Sequence, residues 1–338
     1  MRRLIAGLVF VAACASGAAG AAARPLVAIV ADADGTEITD LLTPFAILAE
    51  SGAVDVKVVA ASKQPVRLMP GVAWVQPQAT FAELGRADVI IVPALHQDDD
   101  PELLAWLRAQ AKAGVRIMSI CNGALVLANA GLLDGRQATA HWWSLPKAEK
   151  TYRAVTWRRD VRWVTDGQIT TTAGISASSP ASLNLLRELA GADVMRATAA
   201  RLDLPAPDPR HNGQDYRLTF KGATRVILNQ AAFWNRQDVS VPLSNGFDEM
   251  AFGTVLDGWS RTYRSEAWAS GPSSATSRHG LVVYRHKAPP GAFDRVANLP
   301  ERRPMETMFG QIQMAYGATT ARFVALQFEH PWGAVTAW

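Results

Sequence analysis

Behind a leading apolar stretch, the chain alternates short apolar runs with longer segments whose apolar residues recur every third or fourth position. Leu26-Val-Ala-Ile-Val30 reads as a buried parallel strand. Leu41 to Ala49 follows as a helix closed by Ser51-Gly52, and Val54 to Ala60 is the next strand. Val66 to Val75, folded around Pro70-Gly71, predicts a hairpin, and Asp88 to Val92 another strand. Asp100 can cap a helix whose first turn holds Pro101, whose apolar face is Leu103, Leu104, Leu107 and Ala111, and which Gly114 closes. Val115 to Ile120 is then a strand, Gly123 to Ala130 a helix and Gly131 its stop. This order predicts an α/β fold, a doubly wound parallel sheet with its functional residues at the strand carboxyl ends. Beyond Arg201 the alternation weakens. Pro205, Pro207 and Pro209 interrupt it, Thr219 to Trp234 reads as a helix, and mixed segments follow that suit an α+β region.

Composition narrows the class. A chain of 338 residues suggests about two domains at roughly 150 residues each. With 49% hydrophobic residues it can fill packed cores, which excludes wholesale disorder. Mean hydropathy is +0.03 and the long apolar run is confined to the first 25 residues, which excludes a multi-span helical membrane protein. Formal net charge is only +4, and two of those charges are Arg2 and Arg3, so a nucleic-acid partner is not expected despite a sequence pI of about 9.2. Arg2-Arg3, the apolar Leu4 to Ala13 and the Ala21-Ala22-Ala23 tract before Arg24-Pro25 form the pattern of a signal peptide. Cleavage there implies a periplasmic or secreted protein. Val11-Ala12-Ala13-Cys14 also resembles a lipoprotein box, and only a lipidated Cys14 would bring the chain to a membrane. The expected division is a leader at 1–23, a domain at 24–200, a linker and helix at 201–236 and a C-terminal region at 237–338.

Cys14 and Cys121 are the two cysteines, so neither a disulfide framework nor a CxxC metal knuckle can form. Ile117-Met118-Ser119-Ile120-Cys121-Asn122-Gly123-Ala124 is strand, sharp turn, helix, with small residues two before and two after the cysteine. That is the context of a nucleophile elbow. The helix N-terminus is expected to depress the thiol pKa below the free value of about 8.5 and to face developing charge with backbone N–H groups. A small buried cysteine ending a strand fits the same segment. His279 and His286 lack partners at metal spacing, and His96 beside Asp98, Asp99 and Asp100 suits a solvated cap region. No metal, cofactor, phosphate loop or dinucleotide fingerprint is expected.

Cys121-Asn122-Gly123-Ala124, Ala130-Gly131-Leu132-Leu133-Asp134-Gly135-Arg136 and Ala138-Thr139-Ala140-His141-Trp142 together resemble the signature of the ThiJ/PfpI superfamily of class I glutamine-amidotransferase-like proteins. Asp34 to Pro44 resembles its first loop and helix, with Asp40 four residues before the proline, and Thr171 to Ala177 resembles its last strand and helix start. The likeness spans roughly residues 26 to 195 and is nearest to the isonitrile-hydratase and amidase-like regulator branch. It implies a flavodoxin-like sheet, Cys121 as nucleophile, Asp40 as its acidic partner with Glu37 as the alternative, and His141 as base or orienter. Asp40 also suits an ordinary helix N-cap, and His141 a packed histidine beside Trp142 and Trp143.

Three positions depart from the family pattern. Asn122 stands where many relatives have a histidine, Pro93-Ala94-Leu95 replaces a glycine pair, and Ser178-Ser179-Pro180 alters a later turn. Ala94, Leu95 and Asn122 remain the expected oxyanion donors. The helix-turn-helix that regulators of the branch carry is not seen after Arg201. Instead Asn245 to Met250 echoes Asp34 to Thr39, Ala269 to Gly280 echoes Ala61 to Gly71, and Ala292-Phe293 echoes Thr80-Phe81. A degenerate second copy of the first half-domain would have Ala251 at the place of Asp40, and an unrelated cap is the other reading. The family commonly buries this surface in a homodimer, so the expected assembly is a homodimer or an intrachain pseudo-dimer. The expected function is an exported cysteine-nucleophile hydrolase or hydratase acting on a small carbonyl, amide or isonitrile-type substrate. The alternatives are a non-catalytic redox-sensing or ligand-binding module and a structural pseudo-dimer that binds a partner.

Overall fold

A computed structural model describes residues 23–219, 224, 235–287 and 291–334. The leader and nearly all of the expected Thr219–Trp234 helix lie outside these. The first strands are β1 (Leu26–Val30), β2 (Thr36–Glu37), β3 (Asp55–Ala60), β4 (Val66–Met69), β5 (Ala73–Val75), β6 (Ala79–Thr80), β7 (Val89–Val92) and β8 (Arg116–Ser119). After β9 (Gln137–Ala138) and β10 (Thr156–Trp157) come β11 (Trp163–Asp166) and β12 (Ile169–Thr172). The main sheet runs β11-β12-β8-β7-β1-β3-β6, parallel throughout except for antiparallel β11 at its edge. Strand side chains alternate between two cores. Val27 and Ile29 enter one and Ala28 and Val30 the other, which is why β1 has no polar face. Helices α1 (Ile38–Ser51), α2 (Phe81–Leu84), α3 (Pro101–Lys112), α4 (Gly123–Asn129), α5 (Leu145–Thr151), α6 (Ser178–Ala190) and α7 (Ala192–Arg201) complete this half. Asp100 caps α3 through the N–H of Leu103, with Pro101 in the first turn, as the capping rules require.

The C-terminal residues build a second, smaller unit. β13 (Gln237–Pro242) pairs in parallel with β14 (Ser265–Ser270) on one side and β17 (Arg295–Val296) on the other. The connecting helix is α8 (Glu249–Ser260). The order β14-β13-β17 is that of β3-β1-β7. Helix starts match too: Asp248 caps α8 through the N–H of Ala251, as Glu37 caps α1 through the N–H of Asp40, each two residues after a positive-φ glycine. Ala251 therefore stands at the place of Asp40, and this unit has no acid there.

The two units are knitted at two levels. β15 (Ser274–Thr276) and β16 (Val282–Arg285) extend the β5-β4-β2 hairpin into one five-stranded sheet, with Val283 opposite Val75. Beneath it α1 packs on α8, where a Cβ on Gly253 would stand 3.1 Å from Leu42 Cδ1. Helices α9 (Pro304–Tyr316) and α10 (Ala318–Phe328) close over α8, burying Phe309 and Phe328 edge to face at 5.6 Å. One continuous apolar core thus joins both units.

Candidate active site

β8 ends at Ser119, and the chain turns through Ile120 and Cys121 into α4. Cys121 has φ +55°, a left-handed conformation that strains a residue with a Cβ by about 1–3 kcal/mol. The turn is held on both sides: Ile120 N–H donates to Val92 C=O at 2.9 Å and Cys121 N–H to Ala173 C=O at 3.1 Å. A Cβ on Gly123 would lie 2.0 Å from the Val92 oxygen, so only glycine lets α4 start this close to β7. Among the described residues nothing accepts from the Asn122 backbone N–H, and its side-chain Oδ1 is buried with no partner.

The acids come from the start of α1. Glu37, not Asp40, is the N-cap: its Oε2 accepts from the Asp40 N–H. Asp40 is fully buried. Its Oδ2 accepts from the Ala94 N–H at 3.1 Å, and its Oδ1 has no partner among the described residues. Across the seam, Arg261 at the end of α8 donates to Glu37 Oε1 at 2.9 Å and to Asp257 Oδ1 at 2.5 Å, while Thr39 donates to Asp257 Oδ2 at 2.9 Å. Burial, with Asp257 and Asp40 beside it, pushes the Glu37 carboxyl far above the usual carboxylate range against the pull of Arg261. Burial also lifts Asp40 to about 7, although the Ala94 N–H and Arg261 both oppose it.

Cys121 lines a cavity of 460 Å³ together with Glu37, Ala94, Asn122, His141 and Arg261. Of the expected residues, Cys121, His141 and the alternative acid Glu37 line this cavity; Asp40 is not among its lining residues and reaches it only through the N–H of Ala94. Three roles differ from expectation. Burial pushes the Cys121 thiol up, not down, and the charges of Asp40, Glu37 and Glu329 push it further. A seven-residue helix does not outweigh them. His141 has both ring nitrogens engaged with backbone: Nε2 meets Gln327 C=O at 2.9 Å, so it carries the proton, and Nδ1 accepts from Trp143 N–H at 3.3 Å. Burial lowers its pKa, leaving a neutral ring that holds the wall and has no lone pair to take the thiol proton. The Ala94 N–H is taken by Asp40, and Leu95 packs into the core beyond the cavity, bridged to Thr36. Of the three expected oxyanion donors, only Asn122 lines the cavity with its N–H unengaged.

Two participants carry no local signature. Arg261 is one. The other is Glu329, 1% exposed, just past α10 with φ +54°. Its carboxylate accepts from the backbone N–H groups of Trp142 and, at 2.9 Å, Gly174, and lies 2.9 Å from His211 Nε2. Burial alone would raise its pKa, but His211 and the Gly174 N–H outweigh it and hold Glu329 ionised. It thereby fixes the two loops flanking Cys121. Among the described residues no His, Cys, Asp and Glu side chains gather as a metal site.

The DJ-1/PfpI family model matches residues 26–188. Isonitrile hydratase of Pseudomonas putida is 34% identical over 175 residues, which cover 50% of this chain and 74% of that protein. The HTH-type transcriptional regulator CdhR of Pseudomonas aeruginosa is 30% identical over 160 residues, only 47% of its length. Among solved structures, a THiJ/PfpI family protein from Pseudomonas syringae aligns with a TM-score of 0.49 and 27% identity, covering 56% of this chain and 78% of that one. The unit from Gln237 onward, which supplies Arg261 and Glu329, lies beyond the family match.

Proposed function

The chain belongs to the DJ-1/PfpI family, and on that premise we propose that it is a cysteine-dependent, hydratase-like enzyme acting on a small uncharged substrate of isonitrile, amide or carbonyl type. The observation that carries this reading is the strained Cys121 elbow opening into a cavity whose wall includes Glu37 and Ala94, with the Ala94 N–H held by a fully buried Asp40 whose carboxyl is lifted to about 7. The resting thiol is protonated. Its sulfur adds to the unsaturated carbon of the substrate while its proton passes to the Asp40 carboxylate and from there to the substrate. With an isonitrile, water then adds at the same carbon, the carbon–sulfur bond breaks and the sulfur regains a proton; with an amide, the transferred proton goes to nitrogen, the amine leaves, and water then displaces the sulfur to give the acid. Asn122 N–H holds charge that develops on the substrate heteroatom. Arg261 keeps the Glu37–Asp257 pair in place, and His141 and Glu329 hold the wall.

The test is turnover of a panel of isonitriles and primary amides by the purified protein. Wild type is expected to add water to at least one class, and Cys121→Ser to lose at least about 10³-fold. No turnover of any substrate, or turnover that survives in Cys121→Ser, overturns the reading. We also propose that the enzyme works outside the cytoplasm, on the leader pattern of residues 1–23. Mass spectrometry of the native protein should then find a start near Arg24 or at a lipidated Cys14, and an intact Met1 would contradict it.

A further inference from the structure

The walls of the Cys121 cavity divide by chemistry. Its polar side chains are already matched to one another. Arg261 meets Glu37 and Asp257, Gln327 donates to Arg261 C=O at 3.0 Å, and the His141 ring is held by backbone at both nitrogens. No unmatched charge faces a ligand among the described residues, so a charged substrate would be desolvated there without compensation. Beyond Asn122 at the Cys121 end, the rest of the lining is apolar and largely aromatic, with Trp142, Tyr263 and Phe323 beside Ile175 and Leu326. The volume of 460 Å³ falls in the range of small-ligand sites, about 300–1,000 Å³.

Tyr263 and Phe323 come from the C-terminal unit, beyond the family match, and their rings lie 5.4 Å apart at 39°. Tyr263 has φ +55°, a strained conformation for an aromatic residue that persists only where its surroundings impose it. Here they do. Fully buried Thr262 accepts from the N–H groups of Arg264 and Ser265 at 3.1 and 3.0 Å and donates to Trp259 C=O at 2.9 Å. The turn is therefore pinned on both sides of Tyr263, and its ring is presented to the cavity as a fixed surface.

We propose that Tyr263 and Phe323 form the wall of a specificity subsite that takes an uncharged aromatic substituent of the substrate, with the reactive carbon at Cys121. This rests on Cys121 being the nucleophile. The probes are 2-chloroacetamide, N-butyl-2-chloroacetamide and N-benzyl-2-chloroacetamide, which share one electrophilic carbon. In each the sulfur displaces chloride and the thiol proton is released. Alkylation at Cys121 is followed by peptide mass spectrometry, and each rate is divided by the rate of the same probe with glutathione. The corrected benzyl rate is expected to exceed the corrected chloroacetamide rate by about tenfold, equivalent to about 1.4 kcal/mol, with butyl between them. Tyr263→Ala and Phe323→Ala should each bring the benzyl-to-chloroacetamide ratio down by at least about threefold, a loss in the range of one aromatic pair. Phe323→Leu, which keeps the core filled, should lower the ratio in the same direction. A ratio near one in wild type, or one unchanged in the variants, overturns the subsite while Cys121 remains a reactive nucleophile. A Cys121 inert to all three probes removes the nucleophile reading, and the subsite with it.

Discussion

The thiol of Cys121 and the carboxyl of Asp40 oppose each other electrostatically, which makes their roles separable. A charged Asp40 raises the thiol pKa, so Asp40→Asn should lower the midpoint of iodoacetamide labelling at Cys121 while lowering turnover by about 10²–10⁴-fold. Wild-type labelling should have its midpoint above the free-thiol value of about 8.5. On the proposed role of Asp40 as the carboxylate that takes the thiol proton, kcat/KM should rise as pH climbs through about 7, and that limb should vanish in Asp40→Asn. Stability runs the other way. The folded-state pKa of Asp40 is raised above the unfolded value, so its contribution is present below about 4 and is lost as pH rises through about 7. Asp40→Asn should therefore raise Tm more at pH 8 than at pH 5, read by calorimetry. At this scale the elbow at Cys121 is legible in the sequence, because strand, turn and helix starter are contiguous around it. The role of His141 is not. Its spacing from Cys121 says nothing of which backbone groups will meet its two nitrogens.

Between elements, two clamps hold the halves in register. Glu329, past α10, ties the Trp142 and Gly174 N–H groups to the C-terminal unit, and a Cβ on Gly174 would meet its carboxyl carbon at 2.8 Å. Glu329→Ala leaves the Trp142 and Gly174 N–H groups without their acceptor and His211 without its neighbouring carboxylate, and should cost about 2–5 kcal/mol in denaturant unfolding. The second clamp joins the end of α1 to the start of α8. His279 Nδ1 lies 3.0 Å from Glu249 and Nε2 3.2 Å from Glu50, which also pairs with Arg201 at 2.6 Å. The Glu249 contact, against the opposing effect of burial, raises the His279 pKa, so this contribution is complete below the unfolded value of about 6.5 and fades as pH rises through the folded one. His279→Gln should cost more stability at pH 6 than at pH 9, and equal losses would show that the clamp is not charged. The elements from Leu26 to Asn129 are legible because their apolar periods are strong and their caps local. The clamps are not: Glu50, Glu249 and His279, like Glu37 and Arg261, meet only when the chain brings distant segments together.

For the whole molecule, the C-terminal unit covers the apolar face of α1 with a helix of the same place and capping, so a second copy of the chain has no such face left to cover. Light scattering at micromolar concentration should give one chain per particle. A stable dimer would mean that another surface associates. The faint echo of residues 34–81 in the C-terminal third is enough to suggest a strand–helix–strand order there. It does not say that this unit would carry Arg261 to Glu37, because no residue of the first half-domain stands at that position in an equivalent role. The account as a whole rests on a covalent bond at Cys121 within a cavity lined by both units. Its most direct test is rapid-quench mass spectrometry of wild-type protein during turnover of an aromatic isonitrile. The account predicts the peptide containing Cys121 heavier by the mass of one substrate, and no such peptide in Cys121→Ser. Product formed with Cys121 unmodified at every time, at a rate unchanged in Cys121→Ser, would contradict it.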